Sequence, residues 1–94
     1  MTRPQAIATV LVEDDAVRVT RFEFVPGSET GWHRHGMDYV ITAITDCAMR
    51  LEEPGGGARD VLVPAGEAYK RAAGVEHNVI NAGTLPMCFI EIID

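Results

Sequence analysis

From Pro26 onward, glycine and proline punctuate this chain repeatedly, and no sustained helical period runs between them. Pro26-Gly27, Gly31, Gly36, Pro54-Gly55-Gly56-Gly57, Pro64-Ala65-Gly66, Gly74 and Gly83 break it into segments. Such residues mark turns, because glycine reaches positive φ and proline cannot donate to a hydrogen-bond ladder. The stretches between them are short, apolar and rich in β-branched residues, with no sustained 3.6-residue period, and this pattern spells strands. Expected strands cover 6–12, 17–25, a short piece through 33–35, then 39–45, 48–52, 58–63, 67–71, 75–81 and 87–93. About nine short strands without a helix imply an all-β fold, a small β-barrel or sandwich.

Two details refine that expectation. Along 17–25, Val17 and Val19 favour one side while Phe22 and Phe24 favour the other, so a bulge is expected near Thr20-Arg21. The first and last strands are apolar on both faces, apart from Glu91 in the last. One face of each fills the barrel and the other needs a cover, for which a second copy in a homodimer is the natural candidate. Glu53-Pro54-Gly55-Gly56-Gly57 is the clearest hairpin turn, and it lacks the strand-to-helix context and Lys-Ser/Thr pair of a phosphate loop. No repeat, linker or low-complexity tract divides the 94 residues, so 1–94 reads as one domain.

Composition narrows the partners. A formal net charge of −6 without an evident basic patch argues against nucleic acid and against anionic lipid. No apolar run is long enough to span a bilayer, and residues 1–12 do not read as a signal peptide. A cytoplasmic location is therefore expected, with Cys47 and Cys88 as free thiols. Small molecules, metal ions and further copies of the chain remain as partners.

The chain has three histidines, and two of them, His33 and His35, lie two residues apart. On a strand, residues i and i+2 share a face, so both imidazoles point into one volume and Arg34 points away. Neutral imidazoles so placed chelate a divalent metal well. His77 follows a second glycine-containing segment, and a fold that brings it to the other two completes a three-nitrogen site. Such a site keeps positions open for water or substrate. No Ser-His-Asp set, His-Glu-x-x-His or Cys-x-x-Cys occurs, which removes the common hydrolase and dithiol readings.

Two motifs in register support this. Gly27, five residues, then His33-Arg34-His35 resembles the first motif of the cupin family. Gly66, Gly74, His77 and Asn81 resemble the second, with Ala72 at its proline position. The first motif region runs over about 27–47 and the second over about 66–81. The whole is similar to the small single-domain bacterial cupins. That resemblance implies a double-sheet jelly roll, a dimer, and one divalent metal per chain on His33, His35 and His77. Iron, zinc, nickel and manganese are the candidate metals.

Where the first motif usually carries a glutamate, this chain has Tyr39. The substitution removes a negative charge from the metal's surroundings and weakens the case for manganese, which prefers oxygen donors. Counting by twos from His35 aims Tyr39 at the metal side and Asp38 away. Three roles for Tyr39 stay open: a phenolate ligand, a hydrogen-bond donor beside the metal, or a core residue with its hydroxyl satisfied by backbone. Arg71 is a candidate for a substrate carboxylate, and Trp32 and Met37 for the pocket mouth. The function implied is a small metalloenzyme acting on a small carboxylate or carbonyl compound, dioxygenase- or isomerase-like. The alternative is a non-catalytic barrel that binds a metal or small ligand.

Overall fold

A computed structural model describes residues 3–93. Nine strands form: β1 Ile7–Glu13, β2 Arg18–Phe24, β3 His33–Arg34, β4 Tyr39–Ala43, β5 Cys47–Glu52, β6 Ala58–Val63, β7 Ala68–Arg71, β8 Glu76–Asn81 and β9 Met87–Ile93. There is no helix among the described residues, hence none long and apolar enough to cross a membrane. The strands make a five-stranded sheet, β1-β2-β9-β4-β7, and a four-stranded sheet, β3-β8-β5-β6. All strand pairings are antiparallel.

Alternation along each strand builds the interior. Phe24, Tyr39, Ile41, Met49, Leu51, Val79, Met87 and Phe89 are buried in one cluster between the sheets. Phe89 packs its ring between Phe22 and Phe24, at centroid distances of 5.4 and 5.3 Å. Burying an aromatic or aliphatic side chain of this size contributes about 1.5–3 kcal/mol, so this cluster dominates the stability of a chain this short.

The bulge occurs on the opposite strand from the expected one. Val10 pairs with Thr20 and Val12 with Val19, leaving Leu11 as the extra residue in β1. β2 keeps its phase throughout, with Thr20 and Phe24 buried and Glu23 exposed. The apparent switch of sides arose because Val17 and Val19 lie on the outer face, where they are apolar without being core.

β9 is the central strand of the larger sheet, between β2 and β4. Its outer residues Cys88, Ile90 and Ile92 are only half-buried. β1 is the edge strand, and Ile7, Val10, Leu11 and Val12 are exposed there, Ile7 at 62%.

Two turns matter for the site. Gly74 has φ +97°, a conformation an L side chain rarely adopts, and it ends the turn that delivers β8. Gly27 has φ +81° and donates its N–H to the carbonyl of Asn81. The Asn81 amide in turn donates to the carbonyls of Phe24 and Leu85 and accepts from Gly83 N–H. Asn81 therefore holds turns together by backbone hydrogen bonds, the role its place in the second motif implies.

Candidate metal centre

β3 is only two residues long, and its register sets the geometry. His33 lies directly across from His77, and Arg34 from Glu76. His35 continues the ladder just beyond the strand: its N–H donates to Val75 O at 2.8 Å, and its carbonyl accepts from Gly74 N–H at 2.7 Å. Cross-strand pairing joins His33 to His77, and the two-residue period joins His33 to His35. The structure thus gathers all three histidines, with their ligand atoms within 4.8 Å of one another.

The Nε2 atoms do the converging. His33 Nε2 is 3.0 Å from His35 Nε2, and His35 Nε2 is 3.2 Å from His77 Nε2. With metal–nitrogen bonds of 2.0–2.1 Å, ligand angles between octahedral and tetrahedral set nitrogens about 2.8–3.4 Å apart. The rings stand edge-on, with interplanar angles of 79°, 73° and 88°. The donor set and its spacing fit a divalent cation.

The opposite ring nitrogens explain why Nε2 is the free one. His33 Nδ1 is 2.9 Å from the carbonyl of Gly31, which can only accept, so Nδ1 carries the hydrogen. His35 Nδ1 lies 3.5 Å from Glu91 Oε1, a carboxylate that favours a hydrogen on the same atom. Gly31 is fixed by Asn78, which is only 2% exposed. Asn78 Oδ1 accepts from Gly31 N–H at 2.9 Å, while its amide donates to Glu29 and Glu52, each at 2.8 Å. Arg3 sits against the same two carboxylates at 2.9 and 3.6 Å.

Burial keeps the imidazoles of His35 and His77 neutral. Burial lowers His35 to about 4, aided by the charges of His33 and Arg71. Burial likewise lowers His77 to about 3, with His33, His35, Arg71 and Arg59 adding to the effect. Burial raises Glu91, opposed by His33 and Arg18.

Tyr39 faces inward as its parity predicts. Its ring stacks on His35 at 3.7 Å between centroids and 17° between planes. The hydroxyl is buried and finds no hydrogen-bond partner among the described residues, backbone included. Burial raises it to about 12 against the pull of Arg71, so the phenol keeps its proton. Asp38 turns away and accepts from Ala73 N–H at 2.9 Å.

A cavity of about 490 Å³ opens onto the three histidines. Met37 and Tyr39 line it; Trp32 and Arg71 do not. Trp32 is 54% exposed. Arg71 is half-buried across from Tyr39, and it acts on the site through its charge. Arg34 is exposed yet borders the cavity. Glu91, Arg18 and Thr30 are among the lining residues that escaped the sequence reading. Glu91 was legible in principle, because it shares the parity of the inward Met87 and Phe89.

Cys47 and Cys88 are free thiols. Burial raises the pKa of each above the ordinary thiol value, which keeps them protonated and unreactive.

Comparison with known proteins agrees with this architecture. Residues 20–93 match the family described as Cupin domain. The chain is 54% identical over 89 residues to the beta-alanine degradation protein BauB of Pseudomonas aeruginosa, covering 95% of this chain and 93% of that one. A cupin domain from Bordetella pertussis Tohama I superposes with a TM-score of 0.93 at 46% identity, over 99% of this chain and 96% of that one. A Klebsiella pneumoniae protein with a double-stranded β-helix domain shares the fold, with a TM-score of 0.78 at 21% identity over 99% and 79% of the two chains. By its matched domain, its relatives and its three-histidine barrel, this chain belongs to the cupin family.

Proposed function

We propose that this cupin holds one divalent metal per chain on Nε2 of His33, His35 and His77, and uses it on a small carboxylate or carbonyl compound. One observation carries the reading. With hydrogens on both Nδ1 atoms, the Nε2 lone pairs of His33 and His35 face each other at 3.0 Å. Two lone pairs that close repel unless a cation lies between them. Nitrogen donors suit iron, zinc and nickel better than manganese. A bound metal would supply Lewis acidity toward a ligand oxygen, and iron would add dioxygen chemistry.

The chain's own residues supply the rest. Phe22, Ile41 and Phe89 give the cavity apolar walls. Glu91 orients His35, and the Tyr39 ring backs that imidazole by stacking on it. The name of the Pseudomonas relative speaks of β-alanine degradation, which is in keeping with a small carboxylate compound.

A second reading is a non-catalytic metal- or ligand-binding barrel. It is favoured by the commitment of Glu91, the one carboxylate lining the cavity among the described residues, to His35, which leaves no free acid–base group there. Under either reading the exposed apolar edge formed by Ile7, Val10, Leu11 and Val12 is covered by a second copy in a homodimer.

Elemental analysis of untagged protein tests the metal. The expected result is about one metal per chain, with His77→Ala losing nearly all of it while the far-ultraviolet spectrum is retained. Full metal content in His77→Ala would overturn the three-histidine site. Oxygen uptake and turnover of small carboxylates by the loaded protein then separate the enzyme from the binder.

A further inference from the structure

The inward-facing residues of the five-stranded sheet fall in rows across it, and the row nearest the site is chemically unusual. Arg18 pairs with Ile93, Ile93 with Tyr39, and Tyr39 with Arg71. Arg18 and Tyr39 thus stand two strands apart, about 10 Å between backbones, and Tyr39 lies against His35. Arg18 has the same parity as Phe22, is exposed at the end of β2 where it lines the cavity, and makes no ion pair or side-chain hydrogen bond with any described residue. Arg34, from the other sheet, borders the same space and is equally without an ion pair among the described residues.

Much of the lining that the arginine and the imidazoles share is apolar: Phe22, Ile41, Met49, Val79, Phe89 and Ile93. Among the described residues the only acidic one lining the cavity is Glu91, which faces His35. A ligand's carboxylate therefore has an unpaired cation to meet, while a ligand's ammonium group has no free counter-ion and would be desolvated against hydrocarbon. The Tyr39 ring lines the cavity beside His35, with its hydroxyl buried behind it. The cavity, about 490 Å³, is also large for a three-carbon amino acid, and it falls in the range that encloses ligands of ten or more non-hydrogen atoms.

We propose that the cavity selects an amphipathic acid without a free amino group, its carboxylate held by Arg18 and its aromatic or branched body lying along the apolar wall toward the three histidines. This deepens the metal-site reading and rests on it for the position of the reactive end. It assigns Arg18, and not Arg71, as the residue that recognises the acid.

Calorimetric titration of the untagged, metal-loaded full chain tests it, with 3-phenylpropionate, 3-phenylpropionamide and phenylalanine as probes. The acid is expected to bind at least about tenfold more tightly than either the amide or the amino acid. Arg18→Gln is expected to remove that advantage while leaving amide binding unchanged, which also reports an intact cavity. Equal or tighter binding of phenylalanine, undiminished acid binding by Arg18→Gln, or no binding of the acid would each overturn the proposal. Metal content measured on the same sample separates the two readings. Arg18-dependent acid binding without metal refutes only the metal site; one metal per chain without acid selectivity refutes only this inference.

Discussion

Replacing Glu91 with glutamine separates what this side chain does for the fold from what it does for the site. The carboxylate is 8% exposed and lies 3.5 Å from His35 Nδ1. In the metal-free protein its burial is unfavourable, which is why its pKa is raised. A neutral amide of the same shape relieves that cost, so the metal-free variant should be as stable as the parent or slightly more so. Metal affinity should move the other way. Partners of this kind on a ligating imidazole typically account for 10–100-fold in affinity, and 3.5 Å is long for a hydrogen bond. The low end therefore applies, about tenfold, or about 1.4 kcal/mol. Competition against a chromophoric chelator measures the affinity, and thermal unfolding in excess chelator measures the stability. Unchanged metal affinity in Glu91→Gln would refute the argument that the carboxylate fixes the His35 tautomer. A large loss of metal-free stability would refute the burial argument.

Acid should destabilise the metal-free chain in a defined window. His35 and His77 titrate near 6.5 when unfolded but near 4 and 3 when folded, so below pH 6.5 the unfolded state binds protons that the native state refuses. Stability is complete above pH 6.5 and falls as pH drops toward 4, by about 3 kcal/mol for His35 alone; urea midpoints that stay flat from pH 6.5 to 5 would contradict this. Glu91, with its pKa raised above 4.5, takes up its proton earlier in the native state than in the unfolded one, so Glu91→Gln should steepen the loss above about pH 4.5. Tyr39→Phe removes a buried hydroxyl without a partner and should raise the metal-free melting temperature by a few degrees, about 1 kcal/mol; a lower melting temperature would mean that the hydroxyl is satisfied. Asn78→Ala deletes the hub that joins Gly31, Glu29 and Glu52 and should cost about 2–4 kcal/mol, read as a drop of roughly 10–25 °C in melting temperature; a drop below 5 °C would show that water replaces it.

The strands and the histidine site were legible for one reason: both follow from local rules. Turn residues bound nearly every strand to within a residue or two, and the two-residue period predicts the shared face of His33 and His35 and the inward turn of Tyr39. What escaped depends on sheet order. Glu91 comes to His35 because β9 lies beside β4, and Arg18 comes to the cavity because β2 lies on the other flank of β9. Neither neighbour is adjacent in sequence. The bulge was misplaced for a related cause: alternation in β2 alone cannot report an extra residue in its partner β1. The commitment of Asn78 to Gly31 likewise joins residues 47 apart.

The central position of β9 has a consequence for how the molecule comes into being. Eight strands are synthesised before it, yet β2 and β4 meet only through it. Until residues 87–93 have left the ribosome, both of those strands offer unpaired edges, and His35 has no Glu91 at its back. A nascent chain of this protein is thus obliged to wait, its larger sheet open and prone to stick to other strands, and then to close that sheet late through contacts distant in sequence. Folding on that plan is slow by the standards of small domains, and a metal that met the histidines early would meet them before His35 had been turned to receive it.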